Sequence, residues 1–571
     1  MTITRHVATV NTLDGVARQV HYRRAGSGPP VILLHMSPRS SAELEPLMRA
    51  WADTFTLIAP DTPGYGASDP LPENENSALF DLSDFADALV AFADTLGLDR
   101  FGLYGHHTGA MIAAECARLY PDRLTITVAN GYLVVTEEER EEILANYFSD
   151  YTPETDGRHL AHVWQRIRDQ FLYFPWSVHT EAARAIMRDK FAVPAPEVLQ
   201  EDVLDLLRTG PHEADGYGAA FRCDGVDILR GITGKCLVTA QVHDLLYEHL
   251  DRLPSDLPNT VTVQKYGDLD ALNDAVKALL LDYAEGDAPP LTATGTITCR
   301  AWASYAETKT GQLYMRRGDA GSGLPVVMIH NLGSSCQRWQ PVMTTLMGRR
   351  PFIAFDLPGH GETGNGWGEG SVTLDACAQA VDEALQSLGI ENAHVFAYGG
   401  GGLVALKLIE RTSLNISSLT AVDFWLFDNA DKEKLAGRFA PPLTPQPYGQ
   451  HMAEAWYIVR DSELFWPWFE AKPENAVAQS PEVNPARLHS RAVDLLKASP
   501  AYHHVVQDAL SFDCETALKQ IVVPTTFGPR SGSPYNTRCE RAASLTPNGK
   551  TITLSNDSSR RAAALIALIK D

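Results

Sequence analysis

The chain carries the same series of four motifs twice, in the same order. Matching positions lie 292 to 295 residues apart, and the pairs are His35 and His330, Asp61 and Asp356, His107 and Gly399, and Trp164 and Trp456. Because this offset changes so little over such a distance, the differences in length between the two copies belong in loops. A repeat of this length predicts a duplicated domain rather than a solenoid of short units.

Two domains also fit the length of the chain, since 571 residues exceed what one hydrophobic core organises. We predict a first domain at residues 1–284, a linker at residues 285–296 and a second domain at residues 297–571. The linker is rich in proline, glycine and small residues, a composition typical of a connection between domains.

The composition argues against several classes of partner. The formal net charge of -23 disfavours nucleic acid and an anionic membrane. The first residues lack the apolar stretch of a secretory signal, and no apolar run is long enough to span a bilayer. The eight cysteines form no C-x-x-C pair, so they suggest neither a zinc knuckle nor a disulfide framework. We therefore predict a cytoplasmic protein with no nucleic acid and no membrane as partner.

Each half alternates short apolar strands with helical patterns, which is typical of a parallel sheet covered by helices on both faces. In the first half the predicted strands end near Leu34, Ala59, Leu103, Val128, Thr239 and Val263. Helical patterns interrupt the alternation at about residues 133–230, and again at about residues 426–515 in the second half. Ligands bind beyond the carboxyl ends of the strands in such sheets, so the inserted helices would form a cap over a binding site.

The stretch Tyr-Gly-His-His-Thr-Gly-Ala at residues 104–110 lies between a predicted strand and a helical pattern that begins at Met111. A strand, a tight glycine turn and a helix are the setting of a nucleophile elbow, in which small residues let the backbone turn sharply. His107, in the middle of the turn, would be raised into a ligand site above a helix N-terminus that favours negative charge.

Three of the four repeated motifs precede the predicted cap. In the first half they run from His35 to Pro38, from Asp61 to Gly66 and from Gly105 to Gly109. Together they resemble the α/β-hydrolase superfamily with a helical cap, the layout of epoxide hydrolases, haloalkane dehalogenases and C–C bond hydrolases. The resemblance covers nearly the whole chain. It implies an α/β fold of two tandem domains, each a mostly parallel sheet flanked by helices with a helical cap. A fold does not by itself decide a function.

The resemblance also implies positions for a nucleophile, a histidine base, an acid and two backbone oxyanion donors. The donors transfer to the N–H groups of Met36 and Thr108. The acid transfers to Asp244, whose alternative role is to cap the next helix. His107 occupies the nucleophile position, and the loop at residues 266–270, where the family histidine belongs, contains no histidine.

We therefore predict that His107 is a general base or a direct substrate contact. An imidazole with a pKa of about 6.5 suits proton transfer at neutral pH. The alternative is a degenerate elbow in which His107 only packs.

Five further residues are predicted to contact the substrate, and they are His35, Arg39, His106, His159 and Trp164. An arginine in the oxyanion loop suits a carboxylate or an enolate, and a tryptophan in the cap suits an apolar pocket wall. A metal held by His35, His107 and His159 is an alternative, but their spacing forms no local motif. We predict no metal and no cofactor.

The second half retains no member of the catalytic set. Gly399 occupies the elbow position, and the loops at residues 527–531 and 555–557 hold neither the family acid nor the family histidine. We predict a pseudoenzyme domain with a structural or allosteric role. The four glycines at residues 399–402 expose backbone N–H groups that could hold an anion.

The first half is predicted to act on a small, partly aromatic organic substrate, and the resemblance favours hydrolysis. A lyase or a cofactor-independent oxygenase that uses the same histidine is one alternative. A non-catalytic ligand-binding or scaffolding pseudohydrolase is another. We also predict that the two halves pack as an intramolecular pseudo-dimer, as expected of a fused homodimer.

Overall fold

The computed structural model describes residues 2–11, 17–72, 79–148, 150–188, 190–291, 295, 297–364, 372–499 and 501–570. The chain divides into two compact units, one of Met1–Tyr151 with His162–Thr296 and the other of Thr152–Ala161 with Ile297–Asp571. Residues 152–161, which we predicted in the first domain, therefore group with the second unit. Residues 292–294 and 296 of the predicted linker lie outside the described residues.

The first unit contains an eight-stranded sheet. Its strands are β1 (Thr4–Asn11), β2 (Ala17–Ala25), β3 (Pro30–Leu34), β4 (Thr56–Pro60), β5 (Phe101–His106), β6 (Leu124–Asn130), β7 (Cys236–Gln241) and β8 (Val261–Tyr266). Their order across the sheet is β1-β2-β4-β3-β5-β6-β7-β8. β2 pairs antiparallel with β1 and with β4, and all other neighbours are parallel. All six predicted strands are present, and each ends at most three residues beyond its predicted end.

Helices accompany this sheet along the whole first unit. They are α1 (Glu45–Trp51), α2 (Leu82–Thr95), α3 (Thr108–Leu119), α4 (Glu137–Asn146), α5 (Arg158–Asp169), α6 (Glu181–Met187), α7 (Pro196–Thr209), α8 (Glu213–Arg222), α9 (Gly225–Arg230) and α10 (Leu269–Asp282). The first four residues of α5 group with the second unit. Helices α4 to α9 form the connection between β6 and β7, in the segment predicted as the cap.

The burial of β3 explains why the sheet needs helices on both faces. All five residues of β3 are buried. Ile32 and Leu34 pack into one apolar cluster, and Val31 and Leu33 pack into another, because side chains alternate along a strand. A strand buried on both faces is typical of a parallel sheet between two helical layers. The predicted fold class is confirmed.

The second unit repeats the same sheet. Its strands are β9 (Trp302–Glu307), β10 (Gln312–Gly318), β11 (Val326–Ile329), β12 (Phe352–Phe355), β13 (Asn392–Tyr398), β14 (Asn415–Val422), β15 (Thr525–Gly528) and β16 (Gly549–Thr551). The order β9-β10-β12-β11-β13-β14-β15-β16 matches that of the first unit, strand by strand.

The helices of the second unit follow the same plan. They are α11 (Gln340–Leu346), α12 (Leu374–Ser387), α13 (Gly401–Arg411), α14 (Asn429–Leu435), α15 (Gln450–Asp461), α16 (Pro485–Ala498), α17 (Ala501–Ser511), α18 (Cys514–Gln520), α19 (Asn536–Leu545) and α20 (Ser558–Ile566). Helices α14 to α18 connect β14 to β15. In the part of the chain that the structure describes, no helix has both the length and the apolar character that crossing a membrane requires.

Candidate active site

The turn between β5 and α3 holds His107 in an uncommon backbone conformation, with φ 50° and ψ -110°. Such a conformation costs a non-glycine residue about 1–3 kcal/mol and is kept only where the surroundings impose it. The backbone N–H of His107 donates to the Asn130 carbonyl at 2.9 Å, and its own carbonyl accepts from the Ala110 N–H at 2.8 Å. The turn therefore has the geometry of a nucleophile elbow, with an imidazole at its tip.

Two glycines make this turn possible because backbone passes directly over each of them. A Cβ on Gly105 would lie 2.1 Å from the carbonyl oxygen of Gly109, and a Cβ on Gly109 would lie 2.5 Å from that of Leu34. Both distances are far below a normal contact, so a side chain at either position would push the strand and the helix apart.

The imidazole of His107 contacts the carboxylate of Asp244, which lies in the loop after β7. The His107 Nε2 atom is 3.1 Å from Oδ1 and 3.0 Å from Oδ2 of Asp244. Burial opposes the ionisation of this carboxyl, but the imidazole of His107 outweighs it and holds the pKa of Asp244 well below its ordinary value. A carboxylate only accepts hydrogen bonds, so Nε2 carries the proton and Nδ1 is the basic nitrogen of the neutral ring.

A second carboxylate lies beside the elbow. Oε1 of Glu43 accepts from Nδ1 of His106 at 3.1 Å and from the backbone N–H of Met36 at 3.1 Å. Burial disfavours both charges, yet the pair overcomes this cost, since the pKa of Glu43 is lowered and that of His106 is raised. Glu43 therefore favours the protonated form of His106, whose ring lies 4.4 Å from that of His107 between centroids.

Glu43 changes the expected oxyanion site. Because the Met36 N–H already donates to this carboxylate, the predicted Met36 donor is not free in this structure. The Thr108 N–H, at the first residue of α3, has no hydrogen-bond partner among the described residues. One of the two predicted donors, Thr108, remains available beside the ring of His106.

Two other predicted contacts are held by neighbouring protein groups. His35 is 1% exposed; its Nε2 accepts from the Thr62 N–H at 2.9 Å and its Nδ1 donates to the Met36 carbonyl at 2.8 Å. Arg39 borders the cavity, but its Nη1 is 2.5 Å from Asp202 and its Nε is 3.4 Å from Asp205. These two carboxylates occupy the guanidinium that we predicted would clamp a substrate.

The predicted cap contacts lie outside the cavity. His159 belongs to the second unit, where its Nε2 is 3.0 Å from Nδ1 of His489 and its ring packs against Trp456. Trp164 is 3% exposed and packs in the interior instead of lining the cavity. Neither residue borders the cavity in this structure, because helical spacing gives the face of α5 but not what that face packs against.

A cavity of about 1320 Å³, including its open mouth, lies over the elbow. His106, His107, Thr108 and Asp244 form its floor. Aromatic side chains from the cap form much of its wall, including Tyr147, Phe171, Phe174, Trp176, Tyr217 and Phe221. A largely aromatic wall above a few convergent polar groups is typical of a site for a small organic molecule.

Of the three histidines in the predicted alternative of a metal site, His107 belongs to a set of described residues whose ligand atoms converge. That set is His106, His107 and Asp244: each offers one ligand atom, and these atoms lie within 4.8 Å of one another. Two imidazoles and a carboxylate are donors that a divalent transition metal accepts.

The second unit fills the equivalent positions differently. Asp423 stands at the position of Gly131, because Asp423 directly follows β14, the partner of β13, and Gly131 directly follows β6, the partner of β5. A Cβ on Gly399 would lie 2.2 Å from Oδ1 of Asn331, and the Gly400 N–H donates to the same oxygen at 2.8 Å. The glycine run that we predicted could hold an anion is thus occupied in part by the amide of Asn331.

A family model described as the alpha/beta hydrolase fold matches residues 29–162 and residues 325–483, together just over half of the chain. The chain belongs to this family. The two matched regions fall at corresponding places in the two halves, and the resemblance inferred from the motifs is confirmed.

Curated relatives in this family match the chain over short stretches. A 2-(acetamidomethylene)succinate hydrolase from Mesorhizobium japonicum is 34% identical over 125 residues, which are 22% of this chain and 43% of that protein. A soluble epoxide hydrolase from Corynebacterium sp. is 36% identical over 111 residues, 19% of this chain and 35% of that protein. A haloalkane dehalogenase from Mycobacterium bovis is 32% identical over 111 residues, 19% of this chain and 37% of that protein.

The chain thus spans less than half the length of the curated relatives it matches. Among solved structures, epoxide hydrolase A from Mycobacterium thermoresistibile is 20% identical, with a TM-score of 0.37, over 49% of this chain and 98% of that chain.

Glu43 escaped prediction because no motif of the α/β-hydrolase family marks it. It lies seven residues after Met36, in a short helical turn that brings it back beneath the elbow. The duplication did contain a signal, since the matching residue of the second half, at the same offset as His330 from His35, is Arg338. A reversal of charge between two copies marks a position where the two sites differ.

Gly131 offers a test of how tightly the elbow is built. Its φ is +68°, and a Cβ there would lie 2.2 Å from Cδ2 of His107. We expect Gly131→Ala to displace the imidazole and to lower turnover about 100-fold, the cost of a misplacement of about 1 Å, with a loss of about 1 kcal/mol or more in the free energy of unfolding. Steady-state kinetics and urea unfolding measure the two effects.

Gly210 provides the matched control. Its φ is +53°, but a Cβ there meets nothing within 4 Å. Gly210→Ala therefore carries the backbone strain without the clash, and we expect it to lose stability but keep turnover. Equal turnover in the two variants would contradict the assignment of the contact with His107.

Proposed function

We propose that the first unit is a hydrolase for a small, partly aromatic organic substrate, with His107 as its general base. The observation that carries the proposal is the contact between His107 Nε2 and Asp244 on the floor of an aromatic cavity. The names of its relatives, which include a succinate-derivative hydrolase, an epoxide hydrolase and a haloalkane dehalogenase, support hydrolysis as the reaction class.

The proposed chemistry needs no serine. The Asp244 carboxylate accepts a hydrogen bond from Nε2 of His107 and so fixes the ring. Nδ1 takes a proton from a water molecule while the oxygen of that water attacks the substrate carbon. Nδ1 then returns this proton to the leaving group. The imidazole thus ends the cycle neutral, and the bond broken is the one between the attacked carbon and the leaving atom.

Negative charge that develops on a substrate oxygen would be stabilised by two groups. The Thr108 N–H lies at the N-terminus of α3, where the helix dipole favours an anion. His106, whose protonated form Glu43 favours, would supply the donor that the family takes from the residue at Met36. A preorganised charged donor of this kind suits an oxyanion in a site sheltered from water.

The screen that tests this proposal uses the intact chain with esters, epoxides, haloalkanes and β-diketones, beside Asp244→Asn and His243→Ala. His243 lies in the same loop but is exposed, so its variant is the matched control. We expect turnover in the wild type and in His243→Ala and a loss of about 100-fold or more in Asp244→Asn, which presents an amide that favours the wrong tautomer of the ring.

Two additions to the screen separate the alternatives. In water labelled with ¹⁸O, a general base yields labelled product with no modified protein, whereas a covalent route leaves an acyl or alkyl group on the peptide that contains His107. Loss of turnover with EDTA, restored by Zn²⁺, would replace the general base with a metal at His106, His107 and Asp244.

Turnover only of β-diketones would favour C–C cleavage, and oxygen-dependent turnover would favour an oxygenase. Binding without turnover would favour a binding protein.

We propose further that the second unit performs no such reaction. Gly399 offers no side chain, and the amide of Asn331 occupies the backbone donor of Gly400. Gly399→His would bring its Cβ against Asn331, so this single change is not expected to create activity. The cytoplasmic location and the pairing of the two halves as a pseudo-dimer stay predictions.

A further inference from the structure

We propose that the second unit binds a small aromatic carboxylate in a cavity of its own, between an arginine cluster and an aromatic wall. The cavity measures about 1010 Å³ including its mouth, and it lies over the strand ends at Gly399. Its chemistry differs from that of the cavity in the first unit, and the inference concerns binding alone.

The cavity carries more positive than negative charge. Three arginines border it, and two of them are paired: Arg530 Nε is 2.5 Å from Asp423, and Arg491 Nη1 is 2.8 Å from Glu463. Arg338 contacts the Tyr398 hydroxyl at 3.3 Å. It makes no ion pair within 4.0 Å among the described residues, although its charge helps to lower the pKa of Glu463, after those of Arg491 and Arg530. One guanidinium therefore remains for an anion from solution.

The crowding of these cations strengthens the point. Burial lowers the pKa of Arg491, Glu463 opposes this effect, and the neighbouring guanidiniums of Arg338 and Arg530 lower it further. A bound carboxylate would relieve this repulsion. In a chain with a net charge of -23, a positive cavity of this kind is a local feature rather than a consequence of composition.

The comparison of the two units shows that the charge was reversed at the site. Arg338 stands at the position of Glu43, which in the first unit accepts from His106 and the Met36 N–H. By strand pairing, Arg530 stands at the position of Gln241. A planar guanidinium binds a carboxylate through two parallel hydrogen bonds, a geometry that neither Glu43 nor Gln241 offers.

The wall of the cavity suits a planar ring. Trp425, Phe439, Trp466 and Tyr535 border it, and successive rings in this series lie 5.0 to 5.4 Å apart between centroids. Such edge-to-face packing leaves ring faces and edges toward the cavity, where an aromatic ligand gains more than from area alone.

A buried amide adds an independent indication of a polar ligand. Gln479 is 5% exposed and borders the cavity, and its Oε1 accepts no hydrogen bond from the described residues. An unsatisfied buried acceptor costs free energy unless a partner arrives. A hydroxyl on the ring of the ligand would supply that partner.

The test is calorimetric titration of the full chain with 1-naphthoate and with its neutral counterpart, 1-naphthamide. We expect 1-naphthoate to bind at least about tenfold more tightly, because a charged hydrogen bond is stronger than a neutral one. Arg338→Gln should remove this preference, Arg338→Lys should keep part of it, and thermal melting should show both variants folded. Phe191→Ala, in the cavity of the first unit, is the control and should leave the affinity unchanged.

Three results would overturn the inference. They are equal affinity for the acid and the amide, unchanged binding of 1-naphthoate in a folded Arg338→Gln variant, and no binding of 1-naphthoate at millimolar concentration. Loss of affinity in Phe191→Ala instead would move the site to the first unit. None of these results depends on turnover by His107, so failure here and failure of the proposed hydrolase are distinguishable.

Discussion

His107→Ala is expected to lower kcat/KM of the first unit by about 10²–10⁴-fold, the range that a positioned general base contributes. The variant removes the nitrogen that takes the proton and leaves Asp244 without the imidazole that holds its charge. The loss should appear mainly in kcat, because the aromatic wall that binds the substrate is untouched. Steady-state kinetics on the substrate found by the screen give the two constants separately.

The stability of the same variant gives a second, independent reading. Asp244 stays buried and keeps the Leu246 N–H, at 2.8 Å, and the more distant Nε2 of His106, 4.0 Å from Oδ2, but loses its two contacts with His107. We expect His107→Ala to lose about 1–3 kcal/mol in the free energy of unfolding, the cost of a buried group that loses a partner. Urea unfolding followed by fluorescence measures it.

Two further variants, one at this position and one in the Asp244 loop, complete the test. His107→Ser creates the family nucleophile but leaves only His106 nearby, whose Nδ1 is engaged by Glu43, so we expect it to be as inactive as His107→Ala. The exposed control His243→Ala should match the wild type in both rate and stability. A His107→Ala variant that retains full turnover would remove His107 from the mechanism and favour the degenerate elbow.

Arg166→Met is expected to cost about 3–5 kcal/mol in the free energy of unfolding, the penalty for stranding one partner of a buried ion pair. The Arg166 side chain is 0% exposed, and its Nη2 lies 2.7 Å from Oε1 of Glu213. Its guanidinium also lies over the rings of Trp176 and Tyr147, at 5.1 Å and 5.5 Å from their centroids. Methionine fills much of the space but leaves the Glu213 carboxylate uncompensated.

The pair can be separated from its surroundings by a double variant. Arg166→Met with Glu213→Leu removes both charges, and replacement of a buried pair by apolar residues is often neutral or stabilising. We therefore expect the double variant to be more stable than Arg166→Met alone. Arg168→Met, two residues away on α5 and half-buried, should change stability by less than about 0.5 kcal/mol.

Arg166 also connects stability to substrate binding. Trp176 and Tyr147 line the cavity, so the guanidinium beneath them positions part of its aromatic wall. We expect Arg166→Met to raise KM more than it lowers kcat, since the wall moves while His107 and Asp244 stay in place.

A double variant as unstable as Arg166→Met would show that the loss of stability comes from packing and not from the stranded charge of Glu213.

Most of the architecture of this protein could be predicted from the order and spacing of its residues. The constant offset between the motifs predicted two copies of one fold, and the alternation of apolar strands and helical patterns located the strands to within a few residues of β3 to β8. Both signals are local: they depend on spacing along the chain and on which residues can be buried. The elbow at His107 followed in the same way, because a glycine on each side of it is a local requirement.

Which side chains meet depends on how distant segments pack in three dimensions. Glu43 takes the N–H of Met36, Arg39 turns to Asp202, and His159 lies in the second unit beside His489. None of these contacts leaves a periodic trace, since each depends on how loops and cap helices fold back over the strand ends. Distant side chains meet where long-range packing and charge compensation are satisfied together, and that balance is settled in three dimensions.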